Sequence, residues 1–195
     1  TLNLRFEMVD GNGLVYGYHD QDWTFGVLED GSRTVDIKAS YRPFKGDKLL
    51  FGDSKEGLFA IRTHPHLKLK QPSRFKDLPV GDAINSEGVP GLKFWGKRAA
   101  WVDYWGKVEG KEVGIAMFDH PDNLRHPTWW QARDYGVFAA NPFGISYFEG
   151  KPAKTGDFIL NDGEELILRY RLVFHLGDHE SANITEKYTD WATTK

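Results

Sequence analysis

The chain has 195 residues, with 25 Lys and Arg against 28 Asp and Glu and a formal charge of −3, which excludes the basic footprint of a nucleic-acid binder. The absence of cysteine excludes disulfides, thiolate metal sites and a cysteine nucleophile, and no apolar run approaches the roughly 18 residues of a membrane span. With 40% hydrophobic and 27% charged residues, the composition predicts one globular domain over residues 1–195 and no disorder along most of it.

Taken in chain order, the predicted elements are strands. Leu2, Leu4, Phe6 and Met8 alternate with Asn3, Arg5 and Glu7, the period of a half-buried antiparallel strand. The turn Asp10-Gly11-Asn12-Gly13 follows, and a second alternation runs through Val35, Ile37, Ala39 and Tyr41. Asp53–Arg62 reads as a hairpin whose turn carries Lys55 and Glu56 between Gly52 and Gly57. Residues 68–85, poor in apolar side chains and holding Pro72 and Pro79, read as a long surface loop. Segments 100–105 and 113–118 read as a hairpin turning near Glu109-Gly110. The last alternation is Leu166, Leu168, Tyr170, Leu172 and Phe174. Helical spacing is confined to the tail from Glu180 to Thr193, which is expected to lay Ile184, Tyr188 and Trp191 on the sheet. The predicted fold is all-β, an antiparallel β-sandwich with long loops and a short C-terminal helix.

The densest polar and aromatic stretch is Phe118–Tyr135. It contains His120, Asp122, His126, Trp129, Trp130, Arg133 and Asp134, and it leaves an apolar strand, where binding groups tend to sit. Pro121 and Pro127 stiffen it by holding the preceding histidines extended. Imidazoles suit proton transfer near neutral pH, and indole faces beside polar groups suit a hydroxylated ligand such as a sugar. His120, His126 and Glu56 are the candidate catalytic groups; Arg133, Asp134, Trp129 and Trp130 are the candidate ligand contacts. One tryptophan is expected to show a ring face and the other to pack inward. Asp103, in Trp101-Val102-Asp103-Tyr104-Trp105, needs a partner such as Arg98 or Arg133. The plainer readings are a hydrogen-bonded corner for the histidines and aromatic core for the tryptophans. His64-Pro65-His66 places two imidazoles on one face without a third ligand, so no metal and no cofactor are expected, and His64 and His66 are assigned to a separate loop. Neither a P-loop nor a nucleophile elbow occurs.

Several motifs resemble one family. Gly52-Asp53-Ser54-Lys55-Glu56-Gly57, Trp95-Gly96-Lys97-Arg98-Ala99, Phe118-Asp119-His120-Pro121, Arg125-His126-Pro127-Thr128, Arg133-Asp134-Tyr135-Gly136 and Ala140-Asn141-Pro142-Phe143-Gly144 are similar to the bacterial proteins labelled "methane oxygenase PmoA" or PmoA-like, from about residue 35 onward. The resemblance implies a soluble bacterial protein, with export to the periplasm an open option. It also implies a galactose-mutarotase-like supersandwich, a role with carbohydrates, and Asn141 among the ligand contacts. The chain departs from that pattern in lacking an upstream His-rich segment and in having Gln131 where histidine is common. The domain is therefore expected to lack its N-terminal part and to self-associate through an exposed edge. Three functions follow as expectations: a protein that binds or processes a small carbohydrate, a noncatalytic sugar-binding or assembly module, and the labelled oxygenase with a histidine-bound metal.

Overall fold

The computed structural model describes residues 1–193. Its strands are β1 (Leu2–Val9), β2 (Val15–Val27), β3 (Arg33–Pro43), β4 (Leu49–Phe51), β5 (Phe59–Arg62), β6 (Asp82–Asn85), β7 (Trp101–Val108), β8 (Lys111–Asp119), β9 (Trp129–Ala132), β10 (Val137–Asn141), β11 (Phe158–Leu160) and β12 (Leu166–Leu176); the helices are α1 (Ile145–Glu149) and α2 (Ile184–Ala192). Strand accounts for 44% and helix for 12%, as the repeated period-two runs predict.

Seven strands form one antiparallel sheet in the order β1-β2-β3-β12-β8-β7-β6; a second layer consists of β5-β10-β9 and the pair β11-β4. The alternation along β12 decides both interfaces. Leu168, Tyr170 and Leu172 point into a core shared with Trp130, Phe138 and Ala140 of the second layer. Tyr104 stacks on Phe138 at 4.4 Å and Phe59 on Tyr170 at 4.8 Å, so the layers meet through flat aromatic contacts. Val173, on the opposite face of β12, packs with Trp101, Ala116 and Phe118 against Ile184 and Trp191 of α2. The expected terminal helix is thus present and covers the outer face of the large sheet.

Two expectations are corrected. Residues 82–85 are not loop: β6 pairs with β7 from Asp82↔Trp105 to Asn85↔Val102. Nor does Asp53–Arg62 close as a hairpin, because β4 pairs with β11 and β5 with β10. The intervening turn is held elsewhere: the Asp53 carboxylate accepts from the Gly156 and Ser146 amides, and Asn141 Nδ2 donates to the Ser54 carbonyl at 2.8 Å. Those tertiary bonds pull the turn across the sheet instead of back on itself.

The second layer does not cover the Leu2 end of β1 or the far end of β2. Leu2 and Phe6 are each 46% exposed, and Phe25 and Val27 each 60%. The alternation that predicts β1 is real, and its apolar side is covered only in part: Met8 packs against the core while Leu2 and Phe6 stay exposed.

Candidate functional site

The loop from β8 to β9 leaves the central part of the large sheet and is pinned at every turn. Asn123 docks it onto β12: its Nδ2 donates to the Arg169 carbonyl at 2.7 Å, and its Oδ1 accepts from the Arg169 amide at 2.7 Å. The Arg98 guanidinium donates to the carbonyls of Pro127 at 2.7 Å and Arg125 at 3.0 Å while lying 4.6 Å from the Trp129 ring centre. Arg125, at φ 62°, donates to the carbonyls of Pro142 and Gly156 at 2.8 and 2.7 Å. The His126–Pro127 peptide is cis. A loop with this many charge-assisted bonds holds its side chains in fixed positions.

At the centre of the loop is a carboxylate–imidazole pair. Asp119, 1% exposed, accepts from Asn123 Nδ2 at 2.8 Å, from the Thr128 amide at 3.0 Å and from His126 Nδ1 at 2.8 Å. A carboxylate facing Nδ1 assigns the proton to that nitrogen and leaves Nε2 with its lone pair. Tyr188 of α2 brings its hydroxyl 3.5 Å from Nε2. Burial, with the Asp119 charge as a second cause, pushes the Tyr188 phenol up to about 12, so it remains a protonated donor. The His126 side chain keeps 18% of its surface open. Chemically, this is an imidazole oriented by a buried carboxylate, able to take a proton at Nε2 and to hold the resulting charge.

His120 stands on the neighbouring side of α2, edge-on to Trp191 at 5.0 Å, with its Nδ1 accepting from the Asp122 amide at 3.1 Å. It borders a cavity of about 230 Å³ together with Asp22, Asp36, Lys38, Arg169 and Trp191. Trp191 lines this cavity, and Tyr188, one helical turn away on α2, is the residue that reaches His126.

Glu56 lies on the other side of the sandwich. Trp130 and Ala132 face the core, so Gln131 faces outward, and it is Gln131 that donates to Glu56 at 3.4 Å. A Cβ on Gly57 would meet Ala139 and Asn141, which places the turn flat on that outer face. The expectation of one cavity shared by Glu56, His120, His126 and Arg133 is therefore corrected: the two layers separate Glu56 from His120. Arg133 sits at the β9–β10 turn, its amide donating to the Val137 carbonyl, and the Asp134 carbonyl beside it accepts from the Lys70 amide.

Neither tryptophan offers an open ring face. Trp130 is fully buried with Nε1 donating to the Ala99 carbonyl at 2.8 Å; Trp129 is 4% exposed, covered by Arg98, with Nε1 donating to Glu149 at 3.2 Å. Asn141 is fully buried and spends its amide on Ser54 and the Phe143 amide. Asp103 is also fully buried; its partner is neither arginine expected but His175, whose Nε2 lies 3.0 Å from Oδ1. His64, which caps the 3-10 turn Pro65–Leu67, meets His66 edge-on at 4.9 Å and borders the same cavity as His175. Among the described residues no three His, Cys, Asp or Glu side chains are grouped to hold a metal. Sequence reasoning passed over Asp119 and Tyr188 as functional groups. Asp119 carried a signal, standing between an apolar strand and His120; Tyr188 carried none beyond its packing period.

The chain matches the model of a family of unknown function, DUF6807, over residues 17–189. No curated protein and no solved structure matches it.

Proposed function

Since the chain belongs to DUF6807, a family without an assigned function, we propose a function from its geometry: it binds a small carbohydrate beside α2, with His126 as the group that exchanges a proton with a ligand hydroxyl. The observation that carries this reading is the Asp119–His126 pair. Asp119 is fully bonded and buried, His126 is fixed and partly open, and the loop carrying both is braced by Arg98, Arg125 and Asn123. The nearby cavity offers hydroxyl-bonding groups of both signs, Asp22, Asp36, Lys38 and Arg169, against one indole. That mixture suits a neutral polyol better than an ion, because a sugar presents hydroxyls in its plane and C–H groups on its face. The resemblance to PmoA-like proteins supports the same ligand class. In this reading His126 Nε2 takes the proton of a sugar hydroxyl, the imidazolium is stabilised by Asp119, and Tyr188 stays a neutral donor.

Saturation-transfer NMR with a panel of neutral mono- and disaccharides tests the proposal. Binding is expected for at least one sugar, weakened by Arg169→Ala and Lys38→Ala, with His126→Gln removing any turnover while the melting temperature stays close to the parent value. Absence of binding across the panel would overturn it. The noncatalytic alternative draws support from the Tyr188 hydroxyl standing over Nε2; it predicts binding that His126→Gln leaves without chemical consequence. The oxygenase alternative needs a histidine ligand set, and the described residues group no three ligand side chains.

A further inference from the structure

At the far end of the sandwich from Asp119 the large sheet runs past the second layer and leaves a trough of about 770 Å³. Its floor is one continuous row across three strands, since Phe174 pairs with both Arg33 and Ile115, and Leu176 with Val113. Phe174 is 41% exposed and Leu176 71%, although both lie at positions of β12 whose predecessors are core. Leu67, from the 3-10 turn Pro65–Leu67, closes the trough from the second-layer side.

The charge on the rim has one sign. Arg33 and Arg62 both border the trough, and among the described residues neither guanidinium has an ion-pair partner; Arg62 only lies 5.3 Å from the Tyr135 ring centre. The one carboxylate on the rim, Asp30, is already taken by Lys187 Nζ at 2.7 Å and by Ser32. An apolar floor beneath two unneutralised guanidiniums complements one kind of molecule, an alkyl chain ending in an anion. The volume lies within the range of ordinary small-ligand sites, roughly 300–1,000 Å³.

We propose that this trough is a binding site for a free, single-chain alkyl carboxylate, with the chain along Ile115, Phe174 and Leu176 and the carboxylate held by Arg33 and Arg62. The site is separate from the carbohydrate reading and stands or falls without it.

The test is amide NMR titration with hexanoate, octanoate and decanoate below their micelle concentrations, with decanol as the uncharged control. Decanoate is expected to shift the amides of Arg33, Ile115, Phe174 and Leu176. Affinity should rise about fifteenfold for each two methylenes added, as burial of roughly 0.8 kcal/mol per methylene requires. Decanol should bind about tenfold more weakly, and Arg33→Gln with Arg62→Gln should abolish that difference while leaving the chain-length series intact. Leu176→Asp, at an exposed position that costs the fold little, should remove binding altogether. Equal affinity for decanol and decanoate, shifts confined to the other exposed apolar surface around Phe25 and Leu2, or indifference to Leu176→Asp would each overturn the proposal.

Discussion

Asp119 Oδ2 lies 2.8 Å from His126 Nδ1 and also takes the Thr128 amide at 3.0 Å, so one buried oxygen sets both the tautomer of the histidine and the path of the chain that carries it. Removing the carboxylate and removing the imidazole therefore have unequal consequences. Asp119→Ala strands the Thr128 amide, His126 Nδ1 and one of the two Asn123 Nδ2 hydrogens, the other staying on the Arg169 carbonyl, and is expected to cost about 3 kcal/mol on the general scale of buried orphaned donors. His126→Gln is expected to cost about 1 kcal/mol, since it removes one bond at a partly open position. Urea denaturation of the two variants measures the difference; equal losses would mean that Asp119 serves the histidine alone.

Arg125 is the second brace. Its forked donors satisfy the carbonyls of Pro142 and Gly156, with Asp157 at 3.3 Å, a geometry that a lysine cannot reproduce. Arg125→Lys is expected to lose about 2 kcal/mol and Arg125→Ala somewhat more, by leaving acceptors without donors. Thermal melts of both variants check this, and a fully stable lysine variant would contradict it.

Gly114 and His175 occupy the same space in turn. A Cβ on Gly114 would fall on the His175 ring, and that ring cannot swing away because Asp103 holds its Nε2 at 3.0 Å in a fully buried pair. Gly114→Ala is expected to destabilise by about 2 kcal/mol through overpacking. Asp103→Ala should cost about 3–5 kcal/mol by leaving its partner buried and unpaired. Recovery of stability in the double variant Gly114→Ala with His175→Ala, relative to Gly114→Ala alone, would identify the ring as the obstacle.

Stability should fall at both ends of the pH scale. Asp30 is lowered to about 2 from 3.8, first by its hydrogen bond to Lys187. A depressed carboxylate contributes stability that is full above its unfolded value and disappears as pH falls through about 2. Tyr41 and Tyr188 are raised to about 12 from 10.0 by burial, so their contribution is full below pH 10 and disappears as pH rises through about 12. Urea midpoints across pH should show both limbs. Lys187→Met should flatten the acid limb, and Tyr188→Phe should weaken the alkaline one.

The uncovered apolar side of β1 and β2 predicts association. Leu2, Phe6, Phe25 and Val27 form an exposed patch at the sheet's edge strand and its neighbour, the arrangement by which sheets recruit further strands or layers. Sedimentation velocity is expected to show mass increasing with concentration, and Phe6→Lys with Phe25→Lys to suppress it. Strictly monomeric behaviour at high concentration would contradict the prediction.

The β12 alternation was legible because every second residue is aliphatic or aromatic over a full strand, and side-chain direction follows from period two without knowledge of neighbours. The same holds for the β7–β8 hairpin and for the face of α2. β6 was hidden because Asp82-Ala83-Ile84-Asn85 is short and its pairing to β7 is what makes it a strand. The Asp53–Arg62 turn was misread because local turn chemistry is identical whether the chain folds back or crosses over. The bonds that choose between them come from Asn141, Ser146 and Gly156, about ninety to a hundred residues away.

By itself the sequence determined an antiparallel all-β chain, the buried faces of β3 and β12, the terminal helix, and the place of the His120–Trp130 stretch at the mouth of an apolar strand. These are local properties, set by side-chain period and turn residues. Only the tertiary structure decided that His126 takes Asp119 while Glu56 falls on the opposite layer, that Asp103 meets His175 in place of an arginine, and that both Trp129 and Trp130 are covered. Those pairings depend on which strands become neighbours. Strand order arises from the burial of whole faces over long sequence separations, and no spacing along the chain encodes it.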